Sequence, residues 1–430
     1  MKGILQMDRA FSNLQSERTD WKTSQLKHIF QEINEKLDHK PEDVPFIGLE
    51  NIEPWNGRLT KADFTDEVSS GVVAFKANDV LFGKLRPYLA KAYLADFDGV
   101  ATTEVLVLRP GELCEGRYLL YLLLSDPFIR TVDAMTYGVK MPRANVEQIG
   151  SIVVSVPPIH EQNLIVAFLD REVKQIDDLI AAKERLLHVL GEKRQTIVAQ
   201  CVTRGLNLHT TLKETGLSWC RHIPSHWSIV KIKYVARLES GHTPSRQHPE
   251  WWENCTIPWF TLADVWQIRD DRQEYLNDTS EQVSELGLAN SSARLLPAGT
   301  VVLSRTASVG FSGIMAVPMA TSQDFFNWVC SARLVPEYLL YVLRSMRPYL
   351  LGLMSGSTHQ TIYLPDAEGL STLLPPVNEQ REIVDYIRVQ TAAITRLEDN
   401  LRASIRSSKE RRISLVASAI SGQLNLDTIQ

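Results

Sequence analysis

The sequence has few cysteines and no long apolar run, and both absences exclude classes of protein. Its five cysteines are scattered among 430 residues and never spaced as C-x-x-C. A disulfide framework or zinc site is therefore not expected, which fits a reducing cytosol. No run of about 18 apolar residues occurs, so no membrane span is expected. The opening stretch MKGILQMDRAFSNLQ lacks the features of a secretory signal, so we expect a cytoplasmic protein.

An excess of positive charge is also missing. The chain carries 46 lysines and arginines against 51 aspartates and glutamates, a net charge of −5. Bulk charge therefore cannot coat a nucleic acid, and any contact with DNA must come from individually placed side chains. The 44% hydrophobic and 23% charged fractions are typical of globular proteins. The length predicts more than one domain.

Known catalytic motifs are absent from the sequence. It contains no G-x-x-x-x-G-K-[ST], no G-x-G-x-x-G and no H-E-x-x-H. It also lacks a [DN]-P-P-[YF] element, which amino-methyltransferases use to hold a flipped base. No histidines have metal-ligand spacing, since His222 and His226 flank the helix breaker Pro224. We therefore predict no catalytic residues and no metal site, and a fused methyltransferase or nuclease is a minor alternative.

An internal repeat dominates what is present. PPIHEQ (157–162) and PPVNEQ (375–380) lie 218 residues apart, and this offset holds without a gap to LNL at 206–208 and 424–426. Further upstream, YLLY occurs twice, beginning at Tyr118 and Tyr338, and related stretches begin at Trp21 and Trp227. The chain is therefore predicted to be duplicated, with each globular unit followed by a helical segment.

Each Pro-Pro element precedes an apolar pattern with helical spacing. The apolar positions of the first pattern are Ile165, Leu169, Ile176, Leu179, Ile180, Leu186, Leu187, Leu190 and Ile197; those of the second are Ile383, Ile387, Ile394, Leu397, Leu401 and Ile405. Two helices of about 40 residues, roughly 60 Å long, are predicted, ending near Gly205 and Gly422. Because neither can bury its own stripe, we expect an antiparallel coiled coil. Such a pair would be a spacer or only a stabilising hairpin.

The two globular units are predicted to be α+β with short strands. Strand-like segments are FIGLENI, DVLFGKL, KAYLADF and ATTEVLVL in the first unit, and PWFTLADV, TVVLSRTA and GFSGIMAV in the second. A short apolar helix and a polar loop follow in each unit: YGVKMPRANVEQIG in the first and SGSTHQTIYLPDAEG in the second.

These residues resemble the specificity (S) subunits of Type I restriction–modification enzymes, over nearly the whole chain from Trp21 to Leu426. The most specific features are the duplicated PPxxEQ elements with their helices and the stretch ETGLSWCRHIPSHWSIVKIKYVARLESGHTP. DVLFGKLRPYLAKAYLADFDGVATTEVLVL and VLSRTASVGFSGI are also typical of such subunits.

The resemblance implies a pseudo-twofold α+β fold, with two target-recognition domains separated by two long antiparallel helices. The recognition domains are expected at 21–156 and 216–374. The conserved helical regions are expected at 157–215 and 375–430, and the segment 1–20 matches nothing that can be placed.

The resemblance also implies the partners. Each recognition domain would read one half of a bipartite, asymmetric site in double-stranded DNA, with the helices setting the spacer. Two methyltransferase (M) subunits would bring S-adenosylmethionine chemistry on adenine. In the full complex two restriction (R) subunits would bring ATP- and Mg²⁺-dependent cleavage. No cofactor is expected in this chain. A protein-binding scaffold that does not touch DNA is the alternative function.

Candidate DNA-binding residues are polar and basic side chains in loops. Those of the first unit are Lys84, Arg86, Tyr88, Lys91, Lys140, Arg143 and Asn145. Those of the second are Gly241, His242, Thr243, Ser245, Arg246, Ser304, Arg305, Thr306, Ser357, Thr358, His359 and Gln360. Arginine pairs well with guanine and Asn or Gln with adenine, whereas small donors suit phosphates. Ordinary solvated loops remain the alternative.

The repeated Glu-Gln pairs form a separate group of candidates. Glu161 with Gln162, and Glu379 with Gln380, stand at the predicted junctions between a globular unit and its helix. They are predicted to cap that junction or to dock it against an M subunit.

Overall fold

The fold is known from a computed structural model, which describes residues 21–60, 71–136, 141–207, 209–355 and 360–424. The chain divides into two compact units. The first comprises Met1–Glu184 with Arg402–Gln430, and the second comprises Arg185–Leu401.

The first unit is built on short, mostly antiparallel strands. Its described strands are β1 (Lys22–Gln25), β2 (Phe30–Ile33), β3 (Lys36–Leu37), β4 (Phe46–Ile47), β5 (Val72–Phe75), β6 (Val80–Gly83), β7 (Ala92–Leu94), β8 (Gly99–Thr102), β9 (Val105–Pro110) and β10 (Val153–Val156). They form sheets in the orders β2-β9-β6-β7 and β3-β5-β8-β4, and a β1-β10 pair. Its shorter helices are α1 (Gly116–Leu123), α2 (Asp126–Ala134) and α3 (Val146–Ser151).

Two long helices, α4 (Ile159–Arg204) and α9 (Val377–Ile420), each contribute to both units.

The second unit repeats this plan. Its described strands are β11 (Leu212–Leu217), β12 (Cys220–Pro224), β13 (Ser228–Lys231), β14 (Ala236–Ser240), β15 (Ile257–Phe260), β16 (Tyr275–Leu276), β17 (Glu281–Val283), β18 (Val301–Ser304), β19 (Ser312–Met315), β20 (Ala320–Thr321), β21 (Phe325–Cys330) and β22 (Ser371–Leu374). Its shorter helices are α5 (Glu285–Ala289), α6 (Pro336–Ser345), α7 (Arg347–Gly352) and α8 (Leu364–Gly369).

The sequence repeat is also a repeat of topology. The antiparallel pair β1-β10 corresponds to β13-β22, and the order β2-β9-β6-β7 corresponds to β14-β21-β18-β19. The parallel pairs β4-β8 and β15-β20 correspond as well. The predicted α+β class and the internal repeat are therefore confirmed.

Several predicted elements are shorter than expected. FIGLENI forms β4 followed by a 3₁₀ turn, ATTEVLVL is divided between β8 and β9, and the apolar helix of each unit is broken in two. Both predicted polar loops contain a short helix, α3 or α8.

Each long helix begins just after its two prolines, where a missing amide hydrogen costs nothing. Glu161 N and Gln162 N donate to Pro158 O at 2.9 and 3.0 Å. Gly205 and Gly422 follow the helix ends with φ of +70° and +73°, in the left-handed region that glycine adopts without strain. The predicted helix stops are confirmed.

Within each unit, segments of the two long helices pack antiparallel. In the first unit Asp177 contacts Arg412 at 3.0 Å, and Lys183 Nζ donates to Ser408 Oγ at 3.0 Å. In the second unit Arg194 Nη2 donates to Thr395 Oγ1 at 2.9 Å, and Val202 shares a core cluster with Ile383. In both, residue numbers rise along one helix as they fall along the other.

The predicted apolar stripe is only partly buried. Buried members of it are Ile165, Leu169, Ile176, Ile180, Leu190, Ile383, Ile387, Ile394 and Ile405. In contrast Leu179, Leu186 and Leu397 are 50%, 47% and 53% exposed. The antiparallel pairing of the helices leaves these three positions uncovered, because one antiparallel neighbour covers only part of an apolar face.

Candidate nucleic-acid interface

Two candidate stretches of the first unit, remote in sequence, lie side by side. Leu85 forms an isolated antiparallel bridge with Arg143. The amide of Arg86 donates to Pro142 O at 2.8 Å. These bonds join the loop after β6 to the stretch that precedes α3, so the predicted basic cluster and the predicted polar loop form one surface.

A third stretch completes this arrangement. Lys84 N donates to Glu104 O at 3.0 Å, and Ala144 N donates to Lys84 O at 2.9 Å. We call residues 84–86, 104 and 142–144 the first frame. Three segments held by backbone hydrogen bonds give their side chains fixed starting positions.

The best-defined side-chain contact of the first frame is between Arg143 and Glu104. Arg143 Nε donates to Glu104 Oε2 at 3.1 Å, and Nη2 donates to Oε1 at 2.8 Å. The side chains are 44% and 28% exposed, respectively. The predicted base-reading arginine is therefore already held by a carboxylate.

Other first-unit candidates have differing environments. Arg86 is exposed and has a φ of +52°, and Tyr88 is exposed. Lys91 Nζ donates to the carbonyl of Leu49, so its ammonium group already has a partner. Asn145 caps α3, because its Oδ1 accepts from the amide of Glu147 at 2.8 Å. Lys140 lies outside the described residues.

The second unit contains a matching arrangement. Arg305 N donates to Asp324 O at 2.9 Å, and Ile362 N donates to Arg305 O at 3.0 Å. Thr306 forms an isolated antiparallel bridge with Thr361. We call residues 305–306, 324 and 360–362 the second frame. It has the same backbone pattern as the first frame but different side chains.

Arg305 is the main cation of the second frame. Its Nε donates to Gln323 O at 2.8 Å, and its guanidinium carbon lies 4.7 Å from the centre of the Phe326 ring. Burial lowers the pKa of the Arg305 guanidinium, although the charge of Asp324 acts in the opposite direction. A partly desolvated cation interacts more strongly with an incoming anion than a hydrated one does.

The remaining frame candidates of the second unit also differ. Thr306 Oγ1 and Thr361 Oγ1 lie 2.9 Å apart, and Gln360 is exposed. Ser304 has no exposed surface, so in this packing its hydroxyl cannot meet DNA, and we leave it out of the proposed surface. Ser357, Thr358 and His359 fall outside the described residues.

The loop that begins at Gly241 lies beside the second frame. His242 N donates to Thr321 O at 3.0 Å, and Thr243 Oγ1 donates to Gln323 Oε1 at 2.5 Å. Gln323 is exposed and also accepts from Arg305 through its main-chain oxygen. The structure therefore gathers two predicted groups of the second unit around Gln323.

The far side of this loop is anchored differently. Arg246 Nη2 donates to Glu281 Oε2 at 2.7 Å, and its guanidinium lies 4.2 Å from the Trp252 ring centre. Trp252 Nε1 donates to Ser245 O at 3.2 Å. Arg246 and Ser245 are both exposed, and the tryptophan serves loop packing.

Replacing Gly241 by alanine is expected to disturb this loop. A Cβ there would lie 2.0 Å from Ser322 O and 2.4 Å from Thr321 O, and neither backbone atom can move cheaply. We expect the free energy of unfolding, measured by urea denaturation, to fall by about 1–3 kcal/mol. Gly352→Ala is the matched control, because nothing lies within 4 Å of its Cβ position. Equal stability of the two variants would contradict the close approach.

The repeated glutamines fasten each helix junction from within. In the second unit Gln380 Nε2 donates to Arg333 O at 3.0 Å and Pro375 O at 2.9 Å, while its Oε1 accepts from Val335 N at 2.8 Å. Gln380 has no exposed surface. It therefore ties the Pro-Pro element to the loop that precedes α6.

Gln162 does the same in the first unit. Its Nε2 donates to Leu113 O and Pro157 O, both at 2.8 Å, and its Oε1 accepts from Glu115 N at 2.8 Å. The side chain is likewise fully buried. Because all these contacts are internal, the two glutamines hold the junction and have no free group with which to dock a partner.

The repeated glutamates hold the tryptophans that open each unit. Trp21 Nε1 donates to Glu161 Oε2 at 3.0 Å, and Trp227 Nε1 donates to Glu379 Oε1 at 3.0 Å. His226 Nε2 also lies 2.9 Å from Glu379 Oε2. The PPxxEQ element is thus a structural junction between a globular unit and its helix.

Sequence reasoning did not identify Glu104 or Gln323. Neither stands in a motif, and their partners Arg143 and Thr243 are 39 and 80 residues away. The one usable signal was the repeat itself, since the two frames lie at corresponding points of the two units.

Neither a metal-binding cluster nor a membrane-spanning helix occurs within the described residues. No three histidine, cysteine, aspartate or glutamate side chains there group closely enough to hold a metal ion. None of the helices in that part of the chain combines the length and apolar character needed to cross a bilayer.

Comparison with known families identifies both halves of the chain. Residues 18–187 and 224–407 match the model of one family, described as Type I restriction modification DNA specificity domain. The matched residues make up well over half of the chain.

Curated relatives are specificity subunits of type I restriction enzymes. The MjaIX specificity subunit of Methanocaldococcus jannaschii is 30% identical over 180 residues, covering 41% of this chain and 40% of that protein. The HindI specificity subunit of Haemophilus influenzae is 20% identical over 408 residues, covering 79% and 86%, respectively. The MjaVIII specificity subunit of M. jannaschii is 21% identical over 392 residues, covering 86% and 85%. This chain thus spans less than half of the first relative and most of the other two.

A solved structure shares the fold. A chain from the work described as "Structural basis underlying complex assembly and conformational transition of the type I R-M system" matches with a TM-score of 0.71 at 19% identity. The match covers 95% of this chain and 99% of that one.

Proposed function

Because this chain belongs to the Type I restriction modification DNA specificity domain family, as a specificity (S) subunit whose catalytic functions lie in partner subunits, we propose that its two units each read one half of a bipartite DNA site. The observation that carries the proposal is the pair of frames. Both have the same backbone hydrogen-bond pattern, yet one presents Arg143 and Glu104 where the other presents Thr361 and Asp324. Two frames with the same backbone arrangement but different side chains suit a site whose two halves differ in sequence.

Each unit presents, in or beside its frame, side chains suited to phosphate contacts and side chains suited to base contacts. In the first unit, Arg86 and Lys84 are cations suited to phosphates, and Arg143 is suited to a base edge. In the second unit, Arg305 supplies the cation and Gln323 and Gln360 supply amides. The net charge of −5 leaves these placed groups, and not bulk charge, to attract the duplex.

The long helices provide the proposed docking surface for two methyltransferase subunits and set the DNA spacer. Leu179 and Leu397 support this proposal, because they occupy equivalent positions of the repeat and are both about half exposed. An apolar side chain in water on each of two related helix faces fits two copies of one partner. Restriction subunits would join this complex in turn.

Binding by the complex of this chain with its methyltransferase subunits tests the proposal. Sequencing of the methylated bases in the host would give both half-sites, and fluorescence anisotropy would then measure duplexes with altered half-sites and spacers. We expect each wrong base pair to cost about 1–3 kcal/mol of binding free energy, one spacer length to be preferred, and affinity to fall steeply with salt. Equal affinity for all duplexes and salt concentrations would instead favour a scaffold that does not read DNA.

A further inference from the structure

Glu104 holds Arg143 by one particular edge. The carboxylate accepts from Nε and Nη2, at 3.1 and 2.8 Å, which form the side edge of the guanidinium. The other edge, formed by Nη1 and the second hydrogen of Nη2, makes no hydrogen bond with any residue that the structure describes. The arginine is thus fixed in plane while a second pair of donors remains available.

That second pair of donors matches one base in particular. A guanidinium end presents two parallel N–H groups, and guanine presents O6 and N7 as two acceptors in the major groove. Adenine and cytosine each present a donor at the corresponding place, and thymine presents a single acceptor beside its methyl group. A guanidinium held by its side edge therefore favours guanine.

We propose that Glu104 is a positioning residue that orients Arg143 to read a guanine in the half-site bound by the first unit. The inference rests on the proposed function, which it deepens by assigning a base. Glu104 acts on DNA only through Arg143. Its carboxylate restricts the rotation of the arginine side chain before DNA binds, so less conformational entropy is lost on binding.

Stability alone does not account for this pair. An ion pair exposed to this degree contributes only about 0–1 kcal/mol to folding. Both residues nevertheless stand in segments joined by backbone hydrogen bonds, since Lys84 N donates to Glu104 O and Ala144 N donates to Lys84 O. Such support fixes the carboxylate and the arginine relative to each other, as base reading requires.

The described residues of the second frame contain no such pair of an arginine held by a carboxylate. At the corresponding positions Asp324 Oδ2 accepts from Ser322 Oγ at 2.9 Å, and Thr361 Oγ1 donates to Arg305 O at 2.9 Å. The guanine preference is therefore assigned to the first half-site alone.

The test uses the complex of this chain with its methyltransferase subunits and a library of randomised duplexes. Bound duplexes are sequenced for the unaltered complex and for complexes carrying Glu104→Gln, Arg143→Ala or Glu281→Gln. Glu281→Gln is the matched control, because it neutralises the carboxylate that holds Arg246 in the second unit. For the two first-unit variants, retained discrimination at the second half-site shows that the complex still assembles; for Glu281→Gln, discrimination at the first half-site does so.

We expect the Arg143→Ala complex to lose its preference for guanine at one position of the first half-site. Discrimination between guanine and the other bases at that position should fall by about 5- to 150-fold. Glu104→Gln should weaken the same preference while keeping or raising affinity for unrelated DNA, since it removes a negative charge. A merely structural glutamate would lower both together. Glu281→Gln should leave the first half-site unchanged.

The inference is overturned if Arg143→Ala or Glu104→Gln leaves discrimination at every base pair of the first half-site intact, or if the base lost is not guanine. Failure of the proposed function has a different signature, because the unaltered complex would then select no bipartite sequence at all.

Discussion

Replacing Arg412 by alanine is expected to lower the free energy of unfolding by about 3–5 kcal/mol, the usual cost of removing one partner from a buried ion pair. Arg412 is 7% exposed, and its Nε lies 3.0 Å from Asp177 Oδ1. Its guanidinium also donates to the carbonyls of Trp55 and Asn56. Burial lowers the pKa of Arg412, and the charge of Asp177 opposes that shift. Without the Arg412 side chain, Asp177 would keep only Arg58 as a cationic partner among the described residues. The carbonyls of Trp55 and Asn56 would each lose a hydrogen-bond donor.

Urea denaturation gives the magnitude of this effect, and hydrogen exchange shows whether it lies in the first unit. Arg130→Ala is the matched control, because Arg130 forms an exposed ion pair with Asp126 one helical turn away. Such pairs contribute about 0.3–0.5 kcal/mol. Replacing both Arg412 and Asp177 by apolar residues should recover part of the loss. Equal effects of Arg412→Ala and Arg130→Ala would show that burial does not determine the strength of this contact.

Gln380→Leu is expected to be similarly damaging in the second unit. Leucine has nearly the same size, yet it leaves Val335 N, Arg333 O and Pro375 O without their partner. An unsatisfied buried polar group costs about 1–3 kcal/mol, so the three together should lower the free energy of unfolding by at least about 3 kcal/mol. Urea denaturation measures the total, and hydrogen exchange should place the loss at the junction of α9.

The repeat supplies an internal comparison for this prediction. Gln162→Leu should have the same effect in the first unit, because Gln162 makes the same three hydrogen bonds. Gln195→Leu makes the same chemical change at an exposed position of α4 and should shift stability by no more than about 0.5 kcal/mol. If Gln380→Leu behaved like Gln195→Leu, the junction would not depend on the amide.

The repeat made much of the fold predictable. Two PPxxEQ elements at a constant offset located both long helices to within two residues of their starts at Ile159 and Val377. The prediction worked because proline before a helix and glycine after it act through local backbone geometry. The exposure of Leu179 and Leu397 could not be predicted, because periodicity places a side chain on a helix face without showing what covers that face.

The candidate site was less predictable for a related reason. The sequence could identify Arg143 as a base-reading type of residue, but Glu104 becomes its partner only when the turn before β9 and the segment before α3 meet in the fold. Likewise, nothing local marks Ser304 as buried or Lys91 as bonded to Leu49 O. Contacts between segments far apart in sequence depend on tertiary structure, which residue types and spacing alone do not specify.

The first unit is built from two separate segments of the chain, and this affects the order in which the two units fold. Its core includes Val416, Ala419 and Ile420, together with Ile165 and other residues made much earlier. The second unit is one continuous stretch, Arg185–Leu401. Domains ordinarily fold during synthesis in the order in which they leave the ribosome. Here we expect that order to be reversed, since the first unit is complete only when the end of α9 has been made, whereas all residues of the second unit precede Arg402.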